Sequence, residues 1–149
     1  MRHSVSDRPS ELAYRGKWCR ERLMSGTVIA MDVGGTNIRA AVLDQRMRIL
    51  VRTQRLLDKS SPTALLTCIG SCVADILPDS ERTLGIGVAM KGFVDHEQGI
   101  MVSSISLGME NLPVRAFLSQ RFGLLTAIDN DVHTATIGEI YYGAGRNCC

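Results

Sequence analysis

Asp32-Val33-Gly34-Gly35-Thr36-Asn37-Ile38-Arg39 holds the residue types that can meet a phosphate. Successive backbone amides in a turn form a concave anion site, and an anion reaches them only where side chains are small. Gly34 and Gly35 give that access, and Thr36 adds a hydroxyl donor. Asp32 sits in a β-branched, apolar run, where a carboxylate costs free energy unless it has a partner or a task. One such task is to hold a magnesium-bound water. Two better-known phosphate loops are excluded: no Gly-Lys-Ser/Thr follows a four-residue gap, and no Gly-x-Gly-x-x-Gly opens a helix. The apolar residues after Thr36 read as a strand, so this turn joins two strands. A plain hairpin, whose Gly-Gly serves only its own backbone geometry, is the competing reading.

A second acidic segment, Ala127-Ile128-Asp129-Asn130-Asp131-Val132-His133, follows an apolar run where a helix begins. In open α/β sheets ligands gather at the carboxyl ends of strands. An Asp there can take the proton of an alcohol that attacks phosphorus, and Asp131 is the candidate base. The competing reading is structural: Asn130 or Asp129 caps the helix, and Asp131 occupies a first turn where the dipole favours carboxylates. His133 and Glu139 face either a substrate or solvent.

The elements that must carry these residues follow from periodicity. Thr27–Val33 reads as a buried strand, Ile38–Leu43 as a second and the region around 49–54 as a third, giving a meander. Ser61-Pro62 reads as a cap followed by proline at the first helical position. Leu65, Leu66, Ile69, Cys72, Val73, Ile76 and Leu77 then form one helical face. Leu84–Met90 is a further strand, Pro113–Phe122 a helix with Phe117 and Leu118 inward, and Leu124–Ile128 the last strand. A final helix from Asn130 is expected to present Ala135, Ile137, Ile140 and Tyr141 to the core. The expected order is β-β-β-α-β-α-β-α, an α/β fold with a mixed sheet flanked by helices.

The chain has 149 residues, 45% of them hydrophobic, which is one domain and not two. Six of its 17 Lys and Arg but only three of its 15 Asp and Glu fall in residues 1–25, so 1–26 is expected to be a basic, flexible tail. That tail lacks the apolar run of a signal peptide, and no stretch has the length of a membrane span; a cytoplasmic location is the expectation. Cys68 and Cys72 lie on the apolar helical face and read as small buried hydrophobes. No Cys-x-x-Cys occurs, so no zinc site is expected in this chain. Cys148 and Cys149 look like an interrupted reading frame.

Several of these stretches, in order, resemble the ROK family of sugar kinases and sugar-responsive repressors. They are Val28–Arg39, Gly85-Ile86-Gly87-Val88-Ala89, Gly92-Phe93-Val94-Asp95, Leu107–Pro113, Asn130-Asp131, Gly138-Glu139 and Gly143-Ala144-Gly145-Arg146. The resemblance covers roughly residues 27–147. It implies an actin-like (ribonuclease H-like) ATPase lobe, with ATP and Mg²⁺ as cofactors and a hexose or amino sugar as substrate, as in a glucokinase. Asp131 would be the base. Asp32, Gly34, Gly35, Thr36, Asn37 and Arg39 would serve the phosphates, with Asp32 reaching magnesium through water. Gly92, Ser106, Asn130, Asp131, His133 and Glu139 would serve the sugar. The chain departs from the pattern at Lys91, where the family usually has proline, and at Ser106 and His133, where asparagine is usual. The resemblance further implies that 27–149 is an N-terminal lobe inactive alone, with the ATP-binding lobe beyond Cys149, and that the full-length protein is a homodimer. A repressor of the same family would carry a winged helix in front; 26 residues are too few, so nucleic acid is not an expected partner.

Overall fold

A computed structural model describes residues 26–78 and 82–147, so the expectations for the basic tail and for Cys148 and Cys149 lie outside the described residues. Strand β1, Thr27–Val33, alternates as its composition requires: Ile29, Met31 and Val33 are buried, while Ala30 and Asp32 stand on the other face. Strands β2, Asn37–Leu43, and β3, Ile49–Leu56, continue it as an antiparallel meander. Helix α1, Pro62–Ala74, starts where Ser61 Oγ accepts from Ala64 N at 3.0 Å, with proline at its first position.

Strand β4, Thr83–Met90, returns parallel to β1. Helix α2, Val114–Phe122, ends at left-handed Gly123 and leads into β8, Leu125–Asn130, parallel to β4. The five strands lie in the order β3-β2-β1-β4-β8, a mixed sheet. Leu65, Ile69, Cys72 and Val73 of α1 and Leu118 of α2 are fully buried with Ile29, Ile38, Val88 and Ile128 of the strands, so both helices share one core on one face. Each fully buried Leu or Ile contributes about 1.5–3 kcal/mol relative to staying in water. The other face carries the small residues Ala30, Ala41, Gly87 and Ala127 and is open.

Two expectations are corrected. The segment between Met90 and Pro113 holds three strands absent from the expected order: β5, Phe93–Asp95, β6, Ile100–Ser104, and β7, Met109–Leu112, which form a separate antiparallel sheet. Each is too short for a two-residue period to stand out, and left-handed glycines at 99 and 108 break the runs. The second correction concerns α3, Asp131–Tyr142, which buries none of its residues: Ala135, Ile137, Ile140 and Tyr141 are all exposed. Helical periodicity shows that a face seeks cover without showing what covers it. Among the described residues no helix is long and apolar enough to cross a membrane.

Candidate functional site

Three parallel strands end level with one another, because Val33, Met90 and Asn130 are register partners across β1, β4 and β8. The segments that follow them, Gly34–Thr36, Lys91-Gly92 and Asp131 onward, therefore emerge at one edge of the sheet. One residue back, Asp32, Ala89 and Asp129 line up on the open face, and Arg39 and Gln54 extend the row across β2 and β3. With strands about 4.8 Å apart, the Cα atoms of Asp32 and Asp129 are about 10 Å apart, and only the methyl of Ala89 stands between them. An open depression of about 750 Å³ runs along this row past Asp32, Arg39 and Gln54, but stops short of the glycine turn.

Within the turn, Gly34 N donates to Asn37 O at 3.0 Å and Leu57 N donates to Thr36 O at 2.9 Å. Lys59 Nζ donates to Gly35 O at 3.0 Å. Among the described residues the amides of Gly35 and Thr36 have no acceptor. Neither Gly34 nor Gly35 has a left-handed φ. A Cβ on either would come no closer than 3.5 Å to its neighbours, Asn37 O and Ser106 Cβ respectively. Neither backbone conformation nor packing within the described chain demands glycine here, so the hairpin-geometry reading loses its physical basis. Asp32 meets Arg39 at 3.5 Å with side chains 49% and 65% exposed. Such a solvated pair contributes little stability and leaves the carboxylate accessible.

The second acidic segment is locked by its own side chains. Asn130 Oδ1 accepts from Val132 N at 2.9 Å and His133 N at 3.1 Å, capping α3, while its Nδ2 donates to Gly92 O at 2.8 Å. One N–H of this amide is left for a ligand. Asp131 opens the helix, and its Oδ1 accepts from Val132 N at 3.0 Å. Asp129 Oδ1 accepts from Asn130 N at 2.7 Å, and its Oδ2 lies 2.8 Å from His133 Nδ1. The capping reading of this segment therefore holds for Asn130, and Asp131 lies in the first turn of α3 as that reading expects, partly exposed at the sheet edge.

Of the other residues singled out from sequence, Ser106 lies against Gly35 and accepts from Lys59 Nζ through its carbonyl at 3.2 Å. Gly92 has a reason internal to the fold: its φ is +140°, and a Cβ would meet Ser103 O at 2.5 Å. Glu139 stands about two turns along α3 from Asp131. Its Oε2 accepts from Ala144 N at 2.9 Å, at the far end of the helix. Sequence reasoning missed Lys59, because a lysine in a polar loop carries no spacing signal and Ser106 is 47 positions away.

Phosphate oxygens suit the turn, whose amides at Gly35 and Thr36 have no acceptor among the described residues. Magnesium fits less specifically. Among the described residues no group of three or more His, Cys, Asp or Glu side chains converges, so Asp32 offers a single carboxylate. Magnesium characteristically keeps several waters and takes one or two carboxylates plus substrate phosphates.

A mixed sheet with helices packed on one face and loops gathered at the carboxyl ends of its parallel strands matches the α/β fold of the actin-like ATPase class. The chain belongs to the ROK family, whose sequence pattern matches residues 28–149. It is 27% identical to a glucokinase of Streptomyces coelicolor over 121 residues, 81% of this chain and 38% of that protein. A ROK family glucokinase from Streptomyces griseus, in complex with glucose and AMPPNP, shares the fold with a TM-score of 0.74 at 27% identity, covering 82% of this chain and 38% of that one. A xylose repressor of Caldicellulosiruptor bescii is 33% identical over 60 residues, 40% of this chain and 15% of the repressor. The chain thus spans well under half the length of these three relatives.

Proposed function

We propose that this chain is the glycine-turn lobe of an ATP-dependent sugar kinase, glucokinase-like, that phosphorylates a hydroxyl of a hexose or amino sugar in the cytoplasm. Residues 27–149 supply the first of two lobes, and a second lobe and a homodimer complete the enzyme. The observation that carries the reading is the common edge of β1, β4 and β8, which brings the unpartnered amides of Gly35 and Thr36 and the carboxylate-bearing start of α3 to the same end of the sheet.

In this reading Asp131 accepts the hydroxyl proton as the sugar oxygen forms its bond to the terminal phosphorus, and the bond from phosphorus to the ADP oxygen breaks. The amides of Gly35 and Thr36 and the Thr36 hydroxyl receive the transferring oxygens, with Asn37 and Arg39 flanking them. Magnesium, held through water by Asp32, would neutralise phosphate charge. Asn130, through its remaining N–H, joins Gly92, Ser106 and His133 around the sugar, whereas Glu139, bound to Ala144 N at the far end of α3, stands apart from them. Catalysis is then mainly positioning and electrostatic stabilisation.

The test is ADP release by the protein that carries this chain, assayed over a panel of hexoses and amino sugars. Sugar binding without ATP turnover on any of them would end the kinase reading. The identity to a xylose repressor supports a second reading, a sugar-responsive regulator. A salt-sensitive mobility shift of operator-like DNA would establish it.

A further inference from the structure

We infer that Lys59 is a positioning residue that sets the orientation of the Gly35–Thr36 peptide and couples it to the Ser106 loop. The inference rests on the phosphate reading of the same turn. The Lys59 ammonium donates to Gly35 O at 3.0 Å and to Ser106 O at 3.2 Å, joining segments far apart in sequence. The carbonyl of Gly35 and the N–H of Thr36 belong to one planar trans peptide, so they point in opposite directions. Holding the oxygen toward Lys59 therefore turns the Thr36 N–H away from it, and that N–H is one of the two without an acceptor among the described residues.

The same logic applies one peptide further on, where Leu57 N holds Thr36 O at 2.9 Å. The loop that carries both donors, from Leu57 to Lys59, thus pins two consecutive carbonyls on one side of the turn. Without that grip the plane is free to rotate, because glycine at 35 brings no side chain to resist it. Contact between the Gly35 position and Ser106, 3.5 Å from where a Cβ would stand, places the second carbonyl within reach of the same ammonium. A shift of the Ser106 loop on sugar binding would then be felt by the phosphate turn through one side chain. Asp58, next to Lys59, keeps its carboxylate on Ser60, accepting from Ser60 Oγ at 2.6 Å and Ser60 N at 2.9 Å. It makes no ion pair with the ammonium among the described residues.

The experiment uses the ¹⁵N-labelled protein that carries this chain, with Lys59→Met and Lys59→Arg variants, and inorganic tripolyphosphate as the probe. In Lys59→Met the amides of Thr36 and Ser106 are expected to broaden together through microsecond-to-millisecond exchange, and tripolyphosphate affinity to fall about tenfold. Lys59→Arg, which also offers a fork of donors, is expected to restore sharp signals at both amides. Unchanged Thr36 and Ser106 amides in Lys59→Met would overturn the inference. So would sharp amides with lost affinity, since Lys59 would then be a direct anion contact. Coupled broadening with no tripolyphosphate binding even in the unmodified chain would uphold the role of Lys59 and instead defeat the phosphate reading of the turn.

Discussion

His133 and Asp129 are joined side chain to side chain across one turn of the β8–α3 junction, Nδ1 to Oδ2 at 2.8 Å. The other Asp129 oxygen is held by Asn130 N, so the carboxylate cannot swing away from the ring. An ionised carboxylate only accepts, which makes Nδ1 the donor and fixes the tautomer of the neutral imidazole. Nε2 is then the acceptor nitrogen, with no donor on it among the described residues.

The first prediction follows from that pair. At a pH where the ring is neutral, ¹⁵N spectra of the imidazole should show the Nδ1–H form predominating. Asp129→Ala should shift the balance toward the Nε2–H form that free histidine favours. An Nε2–H ring in the unmodified chain would refute the arrangement.

Asp131→Asn in the protein that carries this chain keeps the helix-opening geometry but removes the proton acceptor. Turnover should fall to background, while sugar affinity stays within about tenfold, or 1.4 kcal/mol. Near-normal turnover would assign the base to another residue.

Gly35→Ala and Gly92→Ala should behave in opposite ways. At Gly35 the added methyl meets nothing closer than 3.5 Å, so urea stability should change by no more than about 0.5 kcal/mol, while tripolyphosphate binding weakens. At Gly92 the φ of +140° and the approach of Ser103 O to 2.5 Å strain the backbone, and the loss should be at least about 1–3 kcal/mol. Equal destabilisation by the two would mean that Gly35 serves the fold.

Asn130→Ala removes the cap on two α3 amides and the tie to Gly92 O. Loss of the cap alone costs about 1 kcal/mol, and the tie adds a contribution of about the same size. Chemical denaturation reads the sum. Asn130→Asp, which keeps the cap and loses the tie, should recover only part of it.

Burial pushes the Cys72 thiol above its ordinary range. The neutral thiol is the buried form, so its contribution to stability is complete below the unfolded pKa of about 8.5 and declines as pH rises above that value. Melting temperature should therefore fall on the alkaline side, and less so in Cys72→Ala once its lower baseline is subtracted. A thiol reagent should reach the sealed Cys72 at the rate of unfolding, well after the half-buried Cys68.

The local elements were legible because their signals are local. Ser61-Pro62 announces α1, and the run Thr27–Val33 announces a buried strand. The short strands β5 to β7 gave no comparable signal, since three to five residues broken by glycine do not establish a period. The exposure of α3 was equally hidden, because an apolar face looks the same whether or not a neighbour is present.

What the sequence determined by itself is the set of chemical groups and the strands that carry them, since composition and period act over a few residues. The tertiary structure alone decided which groups share an edge. Parallel pairing of β1, β4 and β8 in register levels Asp32 with Asp129 and the glycine turn with Asp131. Only folding brings Lys59 onto the carbonyls of Gly35 and Ser106, because hydrogen bonds between distant segments depend on how the whole sheet is assembled.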